Sequence, residues 1–167
     1  MDDNTDTNTD KKTQRPYRPL IRSQAELEGA WRHLMEPLGF RARSLWLMVI
    51  DDDDRPIPHL TELTDLADLP DARSAGDLTE LVRMVSEALP SSRLAFLLSR
   101  PDTGPPESPD QAWAAVVYDA ARGAGAPCEV VHLATDDAVT PIPWDGLVSR
   151  DGMARRRPAG RSVGRSA

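Results

Sequence analysis

Arg100 ends an apolar run, Leu94–Leu98, and is followed by Pro101, a loop rich in Pro, Gly and acids, and then Ser108. A guanidinium beside the free N–H groups of a starting helix is chemistry for holding an anion. The same Arg can instead pair with Asp102, Glu107 or Asp110 in its own neighbourhood. His132, in the apolar run Cys128–Leu133, has the chemistry of a general base, but an imidazole in such a strand is more often hydrogen-bonded within a core. Ser99 or Ser108 with His132 and an Asp would compose a nucleophile system. No Gly-x-Ser-x-Gly elbow accompanies it, and Ser108 is accounted for as a helix cap. Trp144, beside Pro143 and Asp145, suits either an interface anchor or a cover for an open end of the core.

The remaining reactive side chains are less suggestive. Asp51–Asp54 offers hard oxygen ligands for Ca²⁺ or Mg²⁺, but lacks the spaced ligands and Gly of a calcium loop and reads as a solvated turn. His33, His59 and His132 are not spaced as a metal set. Cys128 is the only Cys. It excludes a disulfide framework and reads as a small core residue, with no neighbouring His or Lys to activate it. Candidate binding residues are therefore Arg100, Ser108, His132 and Trp144, with no catalytic residue, metal ligand or cofactor assigned.

The elements that must position these groups follow from periodicity. Ser23-Gln24-Ala25-Glu26 has the capping-box pattern, and Leu27, Trp31, Leu34 and Leu38 then fall on one helical face before Pro37 and Gly39 end the helix. Leu45–Ile50 is a strand-length apolar run. Pro56–Leu63 is its antiparallel return, placed at an edge or strand start by Pro56 and Pro58. Leu78, Leu81, Val82, Val85 and Leu89 give a second helix, and Leu94–Leu98 a buried strand. A third helix starts at Ser108, with Pro109 in its first turn, Gln111 completing the cap, and Trp113, Val116, Val117, Ala120 and Ala121 on its buried face. Cys128–Leu133 and Ala138–Ile142 are the last strands. The order α-β-β-α-β-α-β-β predicts a single α/β (α+β) domain, a mixed β-sheet flanked by helices. Trp31, Trp46 and Trp113 belong to its core.

Composition sets the outer limits. The 167 residues, 40% of them apolar, suffice for one core, with 15 Pro and polar ends. Residues 1–18 are aperiodic and expected to be disordered, residues 19–149 to form the domain, and residues 150–167 to form an Arg-rich disordered tail. The six Arg of that tail oppose Asp151, while the formal net charge is −7, so the domain itself is acidic. An acidic body repels phosphates, which leaves nucleic-acid contact to the tail alone. No apolar run reaches membrane-span length and the N-terminus lacks a signal-peptide pattern, so the expected location is cytoplasmic, without membrane contact. Arg used in place of Lys, with abundant Ala, Asp and Pro, suits a high-GC bacterial genome.

Residues 45–142 resemble the RadC-type branch of the JAB/MPN metalloprotease-like fold. The hairpin Leu45–Leu63, with its apolar strand, acidic turn and Arg-x-Ile return, looks like the opening hairpin of that family, which continues with a helix, a strand, a loop and a helix. The family's loop motif is His-x-His-Pro, with a Ser seven residues beyond the Pro and an Asp three beyond the Ser. Leu98-Ser99-Arg100-Pro101 occupies that place, Ser108 matches the Ser, and Gln111 stands at the Asp position, with Asp110 one place off. The upstream Glu that acts as base in the family would fall near Leu60 or Glu62. Gly125–His132 resembles the family's strand after the helix. A catalytic zinc needs about three N, O or S ligands and a water. Leu98 cannot coordinate, and Arg100 puts a positive charge where the cation would sit. The resemblance thus implies a degenerate, non-catalytic pseudoenzyme: a binding or regulatory module for an unidentified protein partner. Two alternatives stand beside it: a hydrolase of different chemistry reusing the groove around Arg100, Ser108 and His132, and a nucleic-acid-associated protein acting through its tail.

Overall fold

Strands β1 (Ser44–Ile50) and β3 (Arg93–Ser99) carry the longest uninterrupted apolar runs, Leu45–Ile50 and Leu94–Leu98, and they lie side by side inside the sheet. Both of their faces must then be covered, as expected for strands without polar alternation. A computed structural model describes residues 17–145. With β2 (Pro56–Leu63), β4 (Val131–Ala134) and β5 (Val139–Ile142), they form one five-stranded mixed sheet in the order β2-β1-β3-β4-β5. β1 is antiparallel to β2 and β3, β3 and β4 are parallel, and β5 returns antiparallel to β4. The parallel pair is joined through a helix, as a parallel crossover requires.

Alternation along the strands assigns the two faces. Leu45, Leu47, Val49, Leu94, Phe96 and Leu98 pack toward α2 (Ala72–Ala88) and α3 (Ser108–Gly123). Met48, Ile50, Ala95 and Leu97 pack instead with Leu27, Ala30, Trp31 and Met35 of α1 (Gln24–Met35). The result is a single α+β domain of three layers, with α1 on one face of the sheet and α2 and α3 on the other. Among the described residues no helix is long and apolar enough to cross a membrane.

Several expectations need correction. Leu34 faces solvent and Met35 takes its place inside, because the buried stripe of α1 runs through Leu27, Ala30 and Trp31. Leu89 lies beyond the end of α2 and is exposed. Trp46 is half-buried, its indole N–H donating to Ser99 Oγ at 2.9 Å. The strand expected from Cys128 begins at Val131; only the Leu94–Cys128 bridge precedes it.

Arg18, expected to be disordered, pairs with Asp51 at 2.7 Å and donates to Pro56 O. Asp54 pairs with Arg22 and Arg93, so Asp51 and Asp54 fasten the hairpin turn to the chain entering α1 and to β3. Only Asp52 and Asp53 fit the description of a solvated turn. Residues 1–16 and 146–167, and with them the Arg-rich tail, lie outside the described residues.

Candidate functional site

The strand–loop–helix at residues 93–123 carries its polar groups to the carboxyl end of β3. The N–H of Arg100 still bonds Ala134 O, extending the β3–β4 ladder by one step before Pro101 ends it. The following loop turns at Asp102 and Gly104, both with left-handed φ (74° and 103°), a region Asp and Gly enter most readily. Asp136 in the β4–β5 turn holds this loop: its carboxylate accepts from Asp102 N and Phe40 N, both at 3.0 Å.

The helix cap differs from the expected one. Glu107 is the N-cap of α3, and Asp110, three residues on, returns its carboxylate to Glu107 N at 2.9 Å. Ser108 is therefore an exposed first-turn residue and not the cap. Asp110 points inward and is fully buried. Its Oδ2 also accepts from Arg100 Nε at 3.0 Å, and its Oδ1 accepts from Arg43 Nη1. Burial pushes the Asp110 carboxyl up, but the Glu107 N–H and the two guanidinium groups outweigh it and hold it below the usual carboxylate range. Arg100, only 5% exposed, also donates from Nη1 to Pro101 O (3.2 Å) and from Nη2 to Pro105 O (3.3 Å). Arg43 Nε is buried without a partner among the described residues.

Above this buried triad opens a cleft of about 440 Å³, whose lining includes Arg43, Arg100, Asp68, Asp102 and Glu107. The two cations at its floor are already committed to Asp110, and the carboxylates make its rim acidic. Carboxylates outnumber guanidinium groups there, so the arrangement does not offer an open anion site. Among the described residues no group of three His, Cys, Asp or Glu side chains is placed to hold a metal ion.

The four candidate residues do not converge. Arg100 lines the cleft and Ser108 does not. His132 is fully buried and, by alternation with Val131 and Leu133, faces the α1 layer on the opposite side of the sheet. Its Nδ1 donates to Val130 O at 2.9 Å, which fixes Nε2 as the unprotonated nitrogen of the neutral ring. Burial pushes its pKa below the ordinary value, against the Val130 carbonyl and the charges of Glu28 and Glu129. Trp144 is half-buried at the end of β5, edge-on to Tyr118 at 5.5 Å, with the Arg122 guanidinium 5.1 Å from its ring centre. Tyr118 in turn accepts from Val131 N and donates to Ile142 O, so Trp144 covers the junction of α3 with β4 and β5. Cys128 is half-buried and packs against the edge of the core on the α2 and α3 side, not within it; burial pushes its thiol up to about 12.

Sequence reasoning named Asp110 among the possible partners of Arg100, and the pair is present; it missed the capping role of Asp110, its second partner Arg43, and Asp136. The signal for Asp110 was present as Glu107-x-x-Asp110, a cap pattern one residue ahead of Ser108-x-x-Gln111. Two shallow grooves of about 290 Å³ each also flank the edge strand β2. Leu34 and Leu60 line the one on the α1 side, and Met84 and Leu89 the one on the α2 side. No family model matches the chain, and no curated protein or solved structure was found to match it. The fold and the site thus define a three-layer α+β domain with an acid-rimmed polar cleft over a buried Arg–Asp–Arg triad.

Proposed function

We propose that the chain is a non-catalytic, cytoplasmic binding module, built on a JAB/MPN-like, RadC-like framework, that recruits a protein partner. The observation that carries this reading is the buried Arg43–Asp110–Arg100 triad. In the resemblance, Arg100 stands at the second His of His-x-His-Pro, and a carboxylate from the start of the next helix completes the metal site. Here that position is Gln111, and the carboxylate one place before it, Asp110, is met by fixed guanidinium groups. A second metal-directed position, Leu98, is an apolar core residue.

Partner binding falls to the surface around β2. Met84 (51% exposed) and Leu89 (39%) on one side and Leu34 on the other leave apolar area open on an otherwise acidic body. Pro56 and Pro58 lack N–H donors and blunt β2 against the addition of a further strand at that end, so the grooves are the better anchor than the edge itself. The hydrolase alternative loses support, because Arg100, Ser108 and His132 share no pocket.

The test is affinity capture from the native host with the wild-type chain and with Met84→Glu/Leu89→Glu. A partner retained by the first and lost by the second is expected. Hydrolysis of peptide or ester substrates by purified protein, abolished by Asp110→Asn, would overturn the reading. The resemblance has its own test in Leu98→His/Arg100→His, which restores both imidazoles beside Asp110. One zinc per chain is expected, and a folded variant that retains none counts against the family framework.

A further inference from the structure

The layer between α1 and the sheet holds two polar atoms that are fully buried and lack hydrogen-bond partners among the described residues: Trp31 Nε1 and His132 Nε2. Buried polar atoms are paired in the great majority of cases, so two open ones in one layer call for an explanation. They are chemically complementary. The indole N–H is only a donor, and His132 Nε2 is an acceptor because Nδ1 already donates to Val130 O.

We propose that His132 is an acid-sensitive latch for α1: the neutral ring is compatible with α1 seated on the sheet, and protonation of Nε2 releases the helix. The imidazolium would place a second N–H and a full charge in a layer whose other open polar atom is itself a donor. The groups able to answer that charge are few. From α1 comes Glu28, already paired with Arg32 at 3.1 Å, and from the segment before β4 comes Glu129, already paired with Arg93 at 2.5 Å. The register partners of His132 on β3 and β5 are Leu97 and Pro141, both uncharged. A buried charge without a dedicated partner is the unfavourable case, and moving α1 is the route by which water reaches it. The ties of the chain entering α1 use carboxylates, Asp51 with Arg18 and Asp54 with Arg22, so they persist at pH values where an imidazole titrates.

Hydrogen exchange on the full chain between pH 7.5 and 5.5, corrected for intrinsic rates, tests the latch. The opening equilibrium of α1 amides is expected to rise by up to about tenfold per pH unit below pH ~6.5, while α3 amides respond less. In His132→Gln that pH dependence should vanish. Equal loss of protection in α1 and α3, or a flat wild-type profile, would overturn the proposal. Should His132→Gln fail to fold, the wild-type ring nitrogen shifts decide: Nε2 taking a proton without any change in α1 protection also overturns it.

Discussion

Two buried polar centres lie on opposite faces of one sheet, and the chain treats them differently. On the α3 side, Asp110 is met by one backbone N–H and two guanidinium groups, leaving neither oxygen open. On the α1 side, His132 has one nitrogen bonded and one without a partner among the described residues, as is the Trp31 N–H of the same layer. The first is a fixed, charged, hydrogen-bonded centre of the kind that orders a loop and a helix start. The second is stable only while uncharged. Proximity to a cleft is therefore a poor guide to where this protein responds to its surroundings: the charged groups beneath the cleft are already paired, and the group we propose to be responsive is sealed beneath a helix.

The comparison breaks most visibly at Asp110. Removing it in Asp110→Ala leaves two buried cations facing each other, and urea denaturation at pH 7 should show a loss of about 3–5 kcal/mol. His132→Leu should behave in the opposite sense. It removes an unsatisfied buried atom at some cost in shape, and stability at pH 7 is expected to stay within about 1–2 kcal/mol of wild type.

The two centres should also separate along the pH axis. The folded pKa of His132 lies below its ordinary 6.5, so the folded state binds fewer protons there than the unfolded chain does. Its contribution is complete above pH 6.5 and falls as the pH drops from that value toward the folded pKa. Asp110 is likewise lowered, from 3.8, so its contribution is present above that value and is lost as the pH falls through its folded pKa. Stability measured from pH 8 to 2 should accordingly decline in two stages. His132→Leu should remove the upper stage and leave the lower one.

The smallest expected effects concern the helix cap. Glu107→Ala should cost about 1 kcal/mol by thermal denaturation, and Ser108→Ala should change stability by less than about 0.5 kcal/mol. A larger effect at Ser108 would return the cap to the position the sequence suggested.

The architecture was legible because its signals are local and redundant. Apolar runs mark β1 and β3, two Pro place β2 at an edge, and Ser23-x-x-Glu26 starts α1. The centre of the cleft was legible only in part: Asp110 was among the neighbours open to Arg100, but Arg43 and Asp136 arrive through contacts that no local pattern encodes. Arg43 and Asp110 are 67 positions apart and are brought together across the β1–β3 pairing. Asp136 reaches Phe40 across 96 positions for the same kind of reason. Strand periodicity places His132 in the core as a hydrogen-bonded histidine. It is in the core, but only half satisfied, and that distinction depends on how α1 is seated, which strand periodicity does not report.

Zinc analysis of the wild-type protein, incubated with the metal and then passed through gel filtration, tests most directly the claim that the cleft is closed by its own cations. No retained zinc is predicted, because both Asp110 oxygens are held by Arg43, Arg100 and Glu107 N–H. One zinc per chain, lost in Asp110→Asn, would contradict it.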